Sequence, residues 1–310
     1  MKRINFIKNA ITGSIALSCP AMPFNLLTIG HNFERLRLKD NFWLWGQNVG
    51  SHHVGSPEGG YKLPGVNHMD SKAGCDFFGI DKCLRVTMST GPFPPFDAEA
   101  EKIKDLKEVV WSAIGAGGAK IYSNGNHSDV DEVIRMAEIY PNVTGAIMDD
   151  FFYGSEEPGR SIGRHSIESI QNIREKLHDF KKRPLNLWVV WYTYQLDFNV
   201  AEYLGLCDVI TLWTWKGSDL PAIDTNFRKM VDKTPGKRRL AGCYMWNYGE
   251  RKPLTMDQMK YQLDRYYHWL KKGDIEGIIF CSNCIADIGL ETVEYTRKWI
   301  NQVGNEKVKR

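Results

Sequence analysis

Short apolar runs alternate with longer amphipathic stretches from Asn41 onward. The runs are Phe42–Trp45, Leu84–Met88, Ala119–Tyr122, Val143–Met148, Leu187–Tyr194, Val209–Trp215, Leu240–Trp246 and Gly277–Cys281. Each is mostly continuous rather than alternating, as expected of parallel strands covered on both faces. Helical spacing fills the intervals. Glu101–Ile114 puts Ile103, Leu106, Val110 and Ile114 on one face, and Asp129–Tyr140 has Ser128 as its cap. Ser166–Phe180 carries Ile167, Ile170 and Leu177 and stops before Pro184, Thr255 caps Met256–Lys272, and Glu291–Val303 follows the last run. Gly46–Asp81 contains only a short helix, around Met69–Phe78.

Strand and helix repeated eight times in one uninterrupted segment predict an α/β fold, a single (β/α)8 TIM barrel over residues 29–310. No GxGxxG follows the first run. Gly115-Ala-Gly-Gly118 reads as a helix stop rather than a phosphate cradle.

Residues 1–28 have a different character. Lys2, Arg3 and Lys8 precede an uncharged stretch from Asn9 through Gly30. Its apolar part, Ala10–Leu17, is too short and too broken for a membrane span of about 20 residues. The segment reads as a bacterial export signal, with the periplasm or cell surface as the expected destination. Ile15-Ala16-Leu17-Ser18-Cys19 resembles a loose lipoprotein box, which would place a lipid anchor on Cys19. Lys2–Lys8 is similar to a twin-arginine signal with its second arginine replaced. An ordinary cleaved signal is the third form.

The 310 residues carry 40 Lys+Arg against 37 Asp+Glu, and the excess of +3 lies entirely in the first eight positions. The neutral body lacks the basic footprint that nucleic-acid phosphates require. Seven cysteines are too sparse for a disulfide scaffold. Cys207, Cys243 and Cys281 sit in or beside apolar runs as small buried hydrophobes. Cys281-Ser-Asn-Cys284 is a lone CxxC without a second pair at zinc spacing, so neither metal nor cofactor is expected.

In a (β/α)8 barrel the loops after the strands form the active face. Those positions gather Trp45, Asn48, His52, Asn124, Trp191, Tyr194, Trp213, Trp215, Trp246 and Asn247. Aromatic faces interspersed with amides suit sugars, whose C–H faces stack while their hydroxyls need fixed partners. The competing reading for any one Trp is that it simply fills the barrel. The sharpest feature is Asp149-Asp150, two carboxylates ending the fourth run. Consecutive strand residues face opposite ways, but at a frayed strand end both can turn to the mouth. Two close carboxylates do not both ionise freely, so one becomes available as a general acid. The alternative is that one Asp pairs with Arg160 or Arg164.

A barrel with adjacent carboxylates ending its fourth strand resembles the glycoside hydrolases. It is most similar to the retaining N-acetylhexosaminidases that work by substrate assistance. The resemblance implies that Asp149 polarises an acetamido group and that Asp150 is general acid and then base. Trp213-Thr214 and Trp246-Asn247-Tyr248 resemble aromatic and amide positions of those enzymes. Many retaining barrel hydrolases instead pair the fourth-strand carboxylate with one near the seventh strand. Glu250 is the candidate for that role, competing with a solvated ion pair to Arg251 or Lys252. The expected activity is hydrolysis of an oligo- or polysaccharide. The rivals are a non-catalytic carbohydrate-binding barrel and a metal-dependent sugar isomerase or hydrolase using His52, His127 and Asp150.

Overall fold

The computed structural model describes residues 37–53, 60–88, 90–115 and 129–308. The segment expected to be an export signal, Asn124, His127, Ser128 and the run Ala119–Tyr122 lie outside these residues.

Eight parallel strands close into a barrel in chain order, with the first paired to the last. They are β1 Phe42–Gly46, β2 Lys82–Arg85, β3 Glu108–Gly115, β4 Val143–Asp149, β5 Asn186–Tyr192, β6 Val209–Trp213, β7 Arg238–Tyr244 and β8 Gly277–Cys281. The helices are α1 Ser71–Phe78, α2 Asp97–Lys102, α3 Asp129–Ile139, α4 Ile167–His178, α5 Ala201–Leu206, α6 Ile223–Lys233, α7 Met256–Lys272 and α8 Glu291–Val303. The expected TIM barrel is the observed fold.

Local chemistry sets several of the boundaries. Ser166 and Thr255 accept from the backbone N–H groups of Ser169 (3.2 Å) and Gln258 (3.1 Å), satisfying donors that a helix start leaves open. Gly273 ends α7 at φ 79°, a conformation that glycine adopts without a Cβ clash.

One expected helix is absent. Glu101–Ile114 splits into the end of α2, a turn and β3. Its apolar spacing arises because Ile103 and Leu106 seal the turn, where Asn142 Nδ2 donates to both carbonyls at 3.0 Å. From Val109 to Ile114 every residue is buried, which a one-faced helix would not produce. Gly115 accordingly ends a strand rather than a helix.

Tryptophans fill the barrel. The rings of Trp43 and Trp188 meet edge-on at 5.2 Å, and those of Trp45 and Trp213 at 5.0 Å. Gly242 on β7 lies directly opposite Trp213 on β6. A Cβ there would fall 2.0 Å from the Trp213 indole, so only glycine leaves room for the ring.

Candidate active site

β4 delivers both carboxylates to the mouth. Asp149 is its final residue, and Asp150 leaves the strand at φ 48°. That left-handed turn is uncommon for a residue with a Cβ, though Asp is among those that adopt it. It breaks the two-residue alternation, and both aspartates line the same cavity. Asp149 is 5% exposed. Burial, then the negative charge of Asp150, push its pKa well above the ordinary carboxylate range. Tyr192, the last residue of β5, donates its hydroxyl to Asp150 Oδ1 at 2.7 Å.

Neither arginine forms an ion pair with the carboxylates, although the charge of Arg164 partly offsets the rise in the Asp149 pKa. Arg164 Nε donates to the backbone carbonyl of Asp150 at 2.6 Å, and its guanidinium sits over the Tyr153 ring. Arg160 pairs with Glu157 at 2.8 Å. Among the described residues, no salt bridge reaches either carboxylate.

Aromatic side chains wall the cavity. Trp45 and Tyr244 come from strand ends, and Trp215 and Tyr248 from the loops beyond β6 and β7. The Trp215 and Tyr248 rings lie near-parallel at 6.0 Å, and Tyr192 meets Trp215 edge-on at 5.8 Å. Burial raises the phenol pKa of Tyr192, Tyr244 and Tyr248, keeping the hydroxyls protonated as donors. His52 also lines the cavity, with its Nδ1 2.9 Å from the Tyr248 hydroxyl and 3.4 Å from Ser282 Oγ. Burial lowers its pKa to about 3, which favours the neutral ring.

Of the expected site residues, the structure brings together Asp149, Asp150, Trp45, His52 and Trp215. Tyr194 stands at the rim, 46% exposed, stacked on Tyr192 at 5.3 Å. The other described ones do not line the cavity. Trp191 is fully buried and donates to the Gln195 carbonyl, while Trp213 lies against Trp45 and donates to Thr211 Oγ1 at 2.8 Å. Trp246 donates to the Tyr61 carbonyl at 3.1 Å. Asn48 bonds the Thr90 carbonyl and Arg85, joining two loops. Asn247 accepts from the N–H groups of Gly217 and Glu250 and donates to the Glu250 carboxylate. Glu250 also accepts from Ser218 N at 3.2 Å and pairs with Lys252 at 3.4 Å. Its low pKa follows chiefly from the Asn247 bond. The Asn247–Glu250 unit clamps the loops after β6 and β7.

Sequence reasoning missed Tyr61, Met88 and the cavity-facing position of Cys281. Tyr61 lies in a Gly/Pro-rich loop with no periodic signal. Its ring packs on Tyr248 at 4.9 Å, and its phenol is pushed up to about 12, mainly by burial and then by the charge of Asp150. Among the described residues, no group of three or more His, Cys, Asp or Glu stands together as a metal site.

No family model and no curated protein matches the chain. Solved structures do. The active domain 2 of a chitinase from Pyrococcus furiosus is 11% identical, covering 88% of this chain and 99% of that one, with a TM-score of 0.52. The likeness is one of fold. A candidate alpha-L-fucosidase from Bacteroides thetaiotaomicron is 11% identical over 89% of this chain and 97% of that one, with a TM-score of 0.50. A tryptophan synthase complex from Pyrococcus furiosus matches at 8% identity, 86% and 98% coverage, with a TM-score of 0.44. These structures share the TIM-barrel fold while differing in activity, so the chemistry of this chain has to be read from its own side chains.

Proposed function

We propose that the protein is a glycoside hydrolase whose Asp149/Asp150 pair cleaves a glycosidic bond at the C-terminal mouth of the barrel. The observation that carries this reading is the convergence of two consecutive carboxylates in one aromatic-walled cavity, where burial and the neighbouring charge raise the pKa of Asp149. A carboxyl with a raised pKa serves as an acid for the departing oxygen. Asp150, oriented by Tyr192, supplies negative charge beside the anomeric carbon as positive charge develops there. In this reading Asp149 is the proton donor and Asp150 the charged partner, the reverse of the roles the resemblance implies. Glu250 takes no part, because Asn247, Ser218 and Lys252 already occupy its carboxylate. The substrate is an oligo- or polysaccharide. The basic and then uncharged N-terminal segment supports export to the periplasm or cell surface.

The test is release of p-nitrophenol from a panel of aryl glycosides by wild type, Asp149→Asn and Asp150→Asn. The reading expects turnover of at least one glycoside, a loss of about 10²- to 10⁴-fold in Asp150→Asn, and a much smaller loss in Asp149→Asn, because p-nitrophenol is acidic enough to depart with little help from a proton donor. A wild type that binds the sugars without turning any over is a carbohydrate-binding barrel, and the hydrolase reading fails.

A further inference from the structure

The cavity that holds the two carboxylates measures about 50 Å³, room for about four waters at roughly 10–15 Å³ each. A sugar ring does not fit that space, so a bound sugar enters it with one small substituent. The lining decides which. Trp215 forms one wall, and Tyr61 and Tyr192 stand edge-on to it, with centroids at 6.2 Å and 5.8 Å and planes at 73° and 75°. Rings set near right angles make a box, the arrangement that holds ammonium groups against the negative faces of aromatic rings. Asp150 adds a carboxylate to the box. Tyr192 donates to its Oδ1 at 2.7 Å, and its charge contributes to raising the Tyr61 phenol, so it lies near that ring too. Among the described residues lining the cavity there is no Lys or Arg. An anionic substituent would meet the charge of Asp150 with no counter-ion from these residues. A hydroxyl would leave that charge unpaired, whereas a protonated amine brings it three N–H donors and a positive charge.

We propose that the sugar taken by this site is a 2-amino sugar, its ammonium group seated in the aromatic box against Asp150. The inference rests on the hydrolase reading. That reading brings Asp150 to the anomeric carbon, and so puts the substituent of the adjacent ring carbon, C2, within its reach. An ammonium group at C2 opposes the positive charge that develops at the anomeric carbon. Asp150 lies beside both charges and offsets both. The aromatic faces add attraction for the cation without a second formal charge.

The test uses the full chain and p-nitrophenyl glycosides of glucosamine, galactosamine and mannosamine, each beside its parent sugar and its N-acetyl derivative. Turnover gives kcat and KM, and calorimetry gives affinity where turnover is absent. In at least one of the three series the amine is expected to bind about 10- to 100-fold more tightly than the parent sugar, the scale of a cation held by aromatic faces and a charged hydrogen bond. Asp150→Asn, which keeps the shape of the side chain and removes its charge, is expected to bring the two affinities together. Trp215→Leu is expected to weaken the amine more than the parent sugar. The wild-type comparison decides even where a variant fails to fold. Turnover of parent or N-acetyl glycosides with affinity equal to or better than that of every amine overturns this inference and leaves the hydrolase reading standing. Tight binding of the amine without turnover of any glycoside keeps the ammonium seat and overturns the hydrolase reading. Neither binding nor turnover across the nine glycosides overturns both.

Discussion

His52 provides a perturbation whose size can be worked out. Its imidazole is 4% exposed, faces Tyr61 and Tyr248, and shares a hydrogen bond with the Tyr248 hydroxyl through Nδ1. Burial lowers its pKa from 6.5 to about 3, with His53 as a lesser cause. Between those values the unfolded chain binds a proton that the folded chain refuses, so stability falls as pH falls below 6.5. One proton corresponds to about 1.4 kcal/mol per pH unit, so acidification to pH 5 removes about 2 kcal/mol through this residue alone. His52→Asn keeps an acceptor for Tyr248 and removes the titration. Urea unfolding of both proteins at pH 7 and pH 5 isolates the effect, because every other titrating group is shared. Wild type should lose about 2 kcal/mol more than His52→Asn across that interval. Equal losses would refute a buried neutral imidazole.

Asp149 has the opposite sign. Its folded pKa is raised, so above the ordinary carboxylate range the unfolded chain loses a proton that the fold retains, and stability declines as pH rises. Asp149→Asn should therefore gain stability over wild type between pH 5 and pH 8, by at most about 1.4 kcal/mol per pH unit, measured by the same unfolding series. Tyr192→Phe removes the donor to Asp150 and should lower kcat/KM about 10- to 100-fold with the fold intact by circular dichroism, the scale of a hydrogen bond to a charged group. Gly242→Ala drives a methyl into the Trp213 indole and should destabilise by about 1–3 kcal/mol, read as a lowered thermal midpoint.

Much of the fold was legible because its signals are local. α7 and α8 begin and end where capping and helical period place them, and β8 matches its apolar run. Three apolar runs end two residues beyond their strands. The runs ending at Tyr194, Trp215 and Trp246 continue past β5, β6 and β7 because the loops beyond the ladder are themselves aromatic and wall the mouth or buttress its loops. β3 was hidden by a coincidence: two turn residues and two strand residues fell at helical spacing. The carboxylate pair was legible as a pair, but the positive φ that turns Asp150 beside Asp149 has no sequence signature. Strand parity held more information than was drawn from it. Trp188 meets Trp43 inside the barrel, so Tyr192, four residues on, also faces inward, and Trp191 faces away from the site. Tyr61 had no local signal, since its place depends on contacts with residues from the far end of the chain.

In the proposed reaction Asp149 protonates the departing oxygen while Asp150 acts at the sugar. Leaving-group dependence tests it most directly. Rates for aryl glycosides of one sugar, spanning phenols of increasing acidity, are measured for wild type, Asp149→Asn and Asp150→Asn. Loss of the acid matters least when the departing phenol needs no proton. The account predicts that Asp149→Asn recovers most of its activity on the most acidic phenol, whereas Asp150→Asn stays slow across the series. Recovery in Asp150→Asn and not in Asp149→Asn would contradict it and return the acid role to Asp150.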